Sequence, residues 1–343
     1  MTIIYFGESK QSSTSFHRAS ALRRLGHEVT VFNPYEAVAK QLAHPILGKI
    51  HFRTGYRFLR NAVNTWLGSK LADVRQADLV WVNGGELFGP QGLQLIRSAG
   101  KPVVLYNNDD PTGGRDGRRF DSLLKAVRYY DLCAVMRDVN VKEYKDLGAP
   151  KVKRVIMSYD DVLHQPFGDT NEIPEKFRSD VAFVGTWMRH EKRDEFLLEL
   201  INAGISVSIW GNRWQKSPHW SKLQPFYKGA ALAGRDYVAA IQGAKISLGM
   251  LSKGNRDLYT RRSVEIPFSG GLLCAERTTE HQKMYREDVE AVFWDNAAEC
   301  IQQCRSLLAD DQRRNLIRDA GRSRVLALGA GNEAVCNTIL KAV

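Results

Sequence analysis

Residues 261–273, RRSVEIPFSGGLL, read as a helix that carries Arg262 and Glu265, then Pro267, a Gly270–Gly271 turn and a short apolar strand. Arg262 and Glu265 stand three positions apart and so share one helix face. A guanidinium and a carboxylate at a helix start suit a nucleotide diphosphate. The guanidinium and the unpaired backbone N–H groups take phosphate oxygens, and the carboxylate accepts from sugar hydroxyls. The same spacing also makes an ordinary surface ion pair, so the segment has to be read with its surroundings.

Outward from this segment the chain alternates apolar strand patterns with helical ones. Strands are expected at 2–7, 27–33, 77–84, 101–109, 131–136 and 153–158, with helices between them that stop at Gly26, Gly100 and Gly148. Residues 159–179, with two prolines and mixed charge, read as a linker. The alternation then restarts, with strands at 180–185, 205–211, 245–251, 271–276 and 291–294 and helices to the end. Strand runs that are apolar throughout, rather than alternating, belong to parallel sheets covered on both faces. The expectation is an α/β protein of two doubly wound, Rossmann-like domains facing a cleft, 1–164 and 165–343, the last helix packing back on the first. Ligands in such folds bind at the carboxyl ends of the strands.

Composition agrees with a two-domain globular protein: 343 residues, 43% hydrophobic and 25% charged. No apolar run reaches the ~18 residues a membrane helix needs, and MTIIYFGESK reads as a buried strand rather than a signal peptide. A cytoplasmic protein is expected. The five cysteines (133, 274, 300, 304, 336) are scattered and read as reduced core thiols. Cys300 and Cys304 lie one helical turn apart, but no second pair or histidine cluster completes a metal site in the sequence, and no metal is expected.

The formal net charge of +11 points to anionic partners. Between Lys49 and Arg75 six basic residues stand against Asp73 alone, with Phe52, Tyr56, Leu59, Val63, Trp66 and Leu67 recurring at three- and four-residue steps. The pattern is that of a basic amphipathic helix, either packed on the core or docked on an anionic membrane surface, the inner face of the plasma membrane. Several functions are disfavoured by missing motifs. Gly7 opens no G-x-G-x-x-G, and there is no P-loop, no G-x-S-x-G elbow and no H-E-x-x-H. No zinc finger or RNA-binding motif accompanies the positive charge, so nucleic acid is not an expected partner.

The second half resembles the glycosyltransferase group 1 superfamily, most closely its spore-maturation CgeB-like branch of GT-B fold. The resemblance runs from about Asp180 to Val325, through VAFVGTWMRHEKRDEFLLEL, SIWGNRW, YVAAIQGAKISLGML and the Arg-x-x-Glu element of RRSVEIPFSGGLL. The first half is similar only through LGHEV and NNDDP. The resemblance implies a metal-independent transfer of a sugar from a nucleotide-diphosphate sugar, with no other cofactor, to a hydroxyl of a glycan or a lipid-linked or cell-surface acceptor. It implies that Arg262 neutralises the leaving diphosphate and Glu265 holds the ribose. Gly185 and Thr186 would bring backbone N–H groups to the donor. Trp210, Gly211, Asn212 and Trp214 would lie near the base. Arg193, Lys253 and Gly270 complete the implied donor set. Asp257, eight residues before Glu265, echoes a Glu-x7-Glu pattern and weakly favours retention of configuration. Inversion would need a base near the acceptor, for which Asp109, Asp110, Glu86 and His17 stand at strand ends or helix starts. A sugar-nucleotide epimerase and a basic nucleic-acid-binding protein are the alternative readings.

Overall fold

The apolar runs fold into two six-stranded sheets in which every neighbouring pair is parallel. The computed structural model describes residues 1–343 and divides into two units. The first comprises Met1–Met157, Gly254–Arg256 and Asn332–Val343; the second comprises Ser158–Lys253 and Asp257–Gly331. The expected boundary at 164/165 therefore falls inside the second unit. The last helix, Asn332–Leu340, belongs to the first unit and packs on the helix Thr14–Arg24, where Arg24 pairs with Glu333.

The first unit contains β1 (Thr2–Phe6), β2 (Glu28–Phe32), β3 (Leu79–Asn83), β4 (Val103–Asn107), β5 (Leu132–Val135) and β6 (Val152–Arg154), in the order β2-β1-β3-β4-β5-β6. Ile3 of β1 is in register with Val29 on one side and Leu79 on the other. Ile3, Tyr5, Val80, Trp81, Val104 and Leu105 are all fully buried, on both faces of the sheet, because helices cover each face. Each such side chain contributes ~1.5–3 kcal/mol by leaving water.

The second unit contains β7 (Ser179–Val184), β8 (Val207–Trp210), β9 (Tyr227–Gly229), β10 (Ala244–Gly249), β11 (Leu273–Glu276) and β12 (Val292–Trp294), in the order β12-β11-β10-β7-β8-β9. β9 was not foreseen. It is three residues long, follows Pro225, and ends at Gly229, where a Cβ would lie 3.0 Å from the Trp210 ring. The order of strands along the chain reverses at one place in each sheet, between β1 and β3 in the first unit and between β7 and β10 in the second. Those switch points are where a doubly wound sheet opens a crevice.

The segment 49–75 is not one helix. It forms helices Leu47–Arg53, Arg60–Gly68 and Leu71–Gln76. Gly55 (φ +64°) and Tyr56 (φ +55°) break it, and a Cβ on Gly55 would sit 2.5 Å from the Arg118 carbonyl. Tyr56, Leu59, Val63 and Leu67 enter the core, and Trp66 packs edge-on against Phe6, with ring centres 5.8 Å apart. Phe52 and Phe58 remain exposed. No helix is long and apolar enough to cross a membrane.

Candidate active site

The second unit gathers three arginine- and glycine-based features at the carboxyl ends of β7, β8 and β10. After β7, Gly185 donates its N–H to the Trp210 carbonyl (2.9 Å) and accepts from the Trp214 indole (2.9 Å). A Cβ on Gly211 would stand 2.0 Å from the Gly185 carbonyl oxygen, and Gly211 has φ +144°. The two turns can touch only because Gly211 lacks a side chain. Arg193 opens the helix Arg193–Asn202 and bridges the switch point, donating to the carbonyls of Thr186 (2.8 Å) and Leu251 (2.7 Å). Burial lowers its pKa, against the opposing charges of Glu191 and Glu276.

Arg262 opens the helix Arg262–Phe268. Its Nε donates to the Val184 carbonyl (3.1 Å), Nη1 donates to Glu265 Oε2, and the guanidinium lies over the Tyr237 ring at 4.6 Å. Nη2 has no hydrogen-bond partner within the protein, and the side chain is 29% exposed. Arg262 is also close enough to Arg193 to oppose its charge. Glu265 is not the surface ion-pair partner that its spacing allows: it is 2% exposed, and Tyr237 donates to its Oε2 at 2.7 Å. Burial alone would raise its pKa. The charges of Arg262, Arg261 and His164 and the Tyr237 hydroxyl outweigh burial and bring it down to about 2. Oε1 is the less engaged oxygen, with Arg261 Nη1 at 3.8 Å.

Beside these groups a cavity of about 520 Å³ opens at the carboxyl ends of β10, β11 and β12. Of the expected donor residues, Arg193 and Lys253 line it. Lys253 is exposed and holds its Nζ 3.6 Å from Glu276 Oε2. Glu276, Trp294 and Asn296 also line it and were missed from the sequence, although each stands at or just after the carboxyl end of a strand. The Trp294 indole N–H is buried with no partner. Asn296 caps the helix Ala297–Ala309, whose first N–H groups begin at the cavity wall.

Several expected donor residues do other work. Trp214 is fully buried, with its only N–H given to Gly185, so it braces the turn and offers no face to a base. Trp210 is 7% exposed and packs on Phe177 at 5.3 Å. Asn212 is exposed and accepts from Ala231 N at 3.2 Å. Gly270, at φ +81°, ends the helix that Arg262 begins, and so lies ~12 Å of helix rise from it.

The first unit carries a separate acidic cluster. Gly84 and Gly85 (φ +90° and +84°) turn the chain after β3 and present Glu86, which accepts from Tyr35 Oη and Arg119 Nη2, each at 2.7 Å. Asp109 follows β4 in a turn made by Asn107 Oδ1 accepting its N–H at 2.8 Å. Its carboxylate is about a third exposed, 3.8 Å from Arg119 Nη1. Burial raises the Asp109 pKa, with Glu86 and Asp116 adding to it against Arg119 and Arg115. Asp110 is different. Its carboxylate is fully buried in a two-pronged pair with Arg256 (2.6 Å for each prong) and accepts from Asn140 at 2.7 Å, which holds its pKa down despite burial. Asp110 is thus committed to a buried structural ion pair. His17 sits on the helix Thr14–Arg24 with Nε2 2.9 Å from the Gln11 carbonyl. Its neighbour Arg18, unremarked in the sequence, is 3% exposed, donates to Asn83 Oδ1 at 2.6 Å and lies over the Tyr106 ring at 3.5 Å.

The cysteines are not all scattered. Cys274, Cys300 and Cys304 bring their sulphurs within 4.8 Å of one another in the buried core of the second unit, where Cys274 of β11 joins the i,i+4 pair. Three thiols are a ligand set that a thiophilic ion could use, and no sequence spacing announces a strand cysteine meeting a helix pair.

Two doubly wound sheets with switch-point crevices define the GT-B fold, and solved structures agree along the whole chain. Anabaena HepE in complex with UDP superposes with a TM-score of 0.67 at 12% identity, covering 100% of this chain and 99% of that one. Sucrose-phosphate synthase from Thermosynechococcus elongatus gives 0.70 at 12%, covering 100% and 98%. The UDP-forming α,α-trehalose-phosphate synthase from Burkholderia xenovorans, in complex with glucose-6-phosphate, gives 0.65 at 11%, covering 100% and 99%. Residues 189–331 match the family described as Glycosyl transferase-like, a segment that holds Arg193, Lys253, Arg262 and Glu265. No curated protein sequence matches the chain.

Proposed function

We propose that the protein is a glycosyltransferase that moves a sugar from a nucleotide-diphosphate sugar, held by the second unit, to an acceptor hydroxyl bound by the first. The observation that carries this reading is Arg262 at the β7–β10 switch point, with Nη2 unpartnered and Arg193 beside it. Two fixed guanidiniums suit the charge that grows on a departing diphosphate. Lys253 adds a third cation at the cavity. With these cations assigned to the leaving group, the reaction is proposed to run without a metal. Glu265 positions Arg262 through Oε2 and takes ribose hydroxyls through Oε1. The backbone of Gly185 and Thr186 approaches the donor, and the Trp294 indole N–H is a candidate donor to the base.

On the acceptor side, Asp109 is the base candidate that the geometry favours, because its carboxylate is partly exposed and its pKa is raised. Inversion through Asp109 competes with retention, which the Asp257–Glu265 spacing favours weakly. The acceptor class is a glycan or a lipid-linked carrier, met at the inner face of the membrane. We place the chain in the CgeB-like branch on its Arg-x-x-Glu element and the turns at Gly185 and Gly211. UDP is the first nucleotide to test, since HepE is described bound to UDP and to UDP-glucose. Thermal-shift titration with UDP, GDP, dTDP and CMP should single out one nucleotide, undiminished by EDTA. No response to any of them sinks the proposal. Binding of a nucleotide sugar with release of its epimer and no transfer would turn it into an epimerase.

A further inference from the structure

Thirteen large apolar side chains are exposed on the whole chain, and five of them, Ile46, Leu47, Ile50, Phe52 and Phe58, fall within the thirteen positions 46–58. Scattered exposure would put fewer than about one there, so this short segment exposes more large apolar side chains than any other stretch of its length. Ile46 and Phe58 are 65% and 60% exposed. The same stretch exposes Lys49, Arg53 and Arg57, none of them in an ion pair. From Ala37 to Ala72 the sequence contains six lysines and arginines and no aspartate or glutamate.

We infer that the surface of residues 46–58 docks on an anionic lipid bilayer. Charge selects the occupant. A second copy of this chain would bring the same cations face to face. Nucleic acid would satisfy the cations but leave two isoleucines and a leucine against a polar backbone. An anionic bilayer satisfies both parts: the apolar side chains enter the headgroup–acyl boundary and the cations take headgroup phosphates. The buried side of the same segment, His51, Tyr56 and Leu59, holds it on the core, so the docking surface needs no refolding.

The surface adjoins the acidic cluster. The Phe52 ring lies 5.1 Å from the Arg119 guanidinium, which pairs with Glu86 and approaches Asp109. A bilayer beneath residues 46–58 would present a lipid-borne hydroxyl beside Asp109. This part rests on the glycosyl-transfer reading; the docking itself does not.

The test is co-sedimentation of the full chain with vesicles of phosphatidylglycerol and phosphatidylcholine, and with phosphatidylcholine alone. The expected result is binding to the anionic vesicles at low salt, at least tenfold stronger than to neutral ones, and largely lost at high salt. Replacing Lys49, Arg53 and Arg57 with Gln should weaken it about a hundredfold, at about fivefold per cation. The separate variant Ile46→Asp/Ile50→Asp/Phe58→Asp should lose it while keeping its melting temperature and UDP response. No binding at low salt, equal binding to neutral vesicles, or unchanged binding in both variants overturns the inference. A wild-type dimer in sedimentation that the aspartate variant dissolves also overturns it, in favour of a second copy. Vesicle binding without any nucleotide response leaves the docking standing and overturns only the transfer reading.

Discussion

Glu265→Gln should destabilise the second unit at neutral pH and leave it nearly unaffected in acid. The substitution keeps the side-chain shape but removes the charge that Arg262, Arg261 and Tyr237 surround. In the folded protein the carboxyl titrates at about 2, against an ordinary value of 4.5. That difference corresponds to roughly 3 kcal/mol, at about 1.4 kcal/mol per unit. Because the folded pKa is depressed, this stabilisation is fully present above pH 4.5 and is lost as pH falls through the folded pKa. By pH 3 about 2 kcal/mol of it should be gone, and by pH 2 nearly all. The assay is urea unfolding followed by tryptophan fluorescence, which reports mainly the second unit, home to five of the seven tryptophans. Wild type and Glu265→Gln should differ by about 2–3 kcal/mol at pH 7 and converge toward pH 2. A constant gap at both pH values, or none at pH 7, would refute the buried ion pair as the source of the shift.

The role proposed for Arg262 predicts that Arg262→Ala lowers kcat by more than it raises KM, because the unpartnered Nη2 would meet charge that grows in the transition state; Arg262→Lys should rescue only part, lacking the fork. Asp109→Asn should abolish transfer while nucleotide titration is unchanged, and in the wild type kcat should fall as pH drops through the raised Asp109 pKa, a limb that disappears if Asp109 is not the base. Gly211→Ala should cost about 1–3 kcal/mol of stability and weaken nucleotide binding, since its Cβ would strike the Gly185 carbonyl; an unchanged melt would mean that the two turns do not approach so closely. Arg256→Ala should cost about 3–5 kcal/mol in first-unit unfolding by leaving the buried Asp110 carboxylate unpaired, and Arg256→Ala/Asp110→Asn should recover part of that loss.

Most of the architecture was legible because strands buried on both faces carry an unbroken apolar signal. Ten of the twelve strands lie where apolar runs of the VVLYN type put them; β6 meets the run expected at 153–158 only at Lys153 and Arg154. β9 reads YKG, with no apolar run to announce it, and its pairing sets Gly229 against the distant Trp210 ring. The basic segment failed for a related reason. Its three- and four-residue spacing holds within each short helix, but the break at Gly55–Tyr56 is set by a close approach to Arg118, a contact 63 residues along the chain. Periodicity reports which side chains are buried; it does not report where the backbone must turn to bury them.

The candidate site was legible only as a set of residue types at strand ends. Arg193, Arg262 and Glu265 stand near the switch point because topology puts the turn after β7 and the helix after β10 together, and that much follows from strand order. What strand order cannot say is which polar groups are already spent. Asp109 and Asp110 are adjacent and chemically identical in sequence, yet Arg256, 146 residues from Asp110, engages one carboxylate and leaves the other partly exposed beside Glu86. Trp214 and Trp294 show the same division. The indole of Trp214 is consumed by the Gly185 carbonyl, whereas that of Trp294 has no partner and lines the cavity. In each pair one residue's hydrogen-bonding capacity is spent within the protein and the other's is not. Selecting it requires the long-range contacts, which enter no local pattern of the chain.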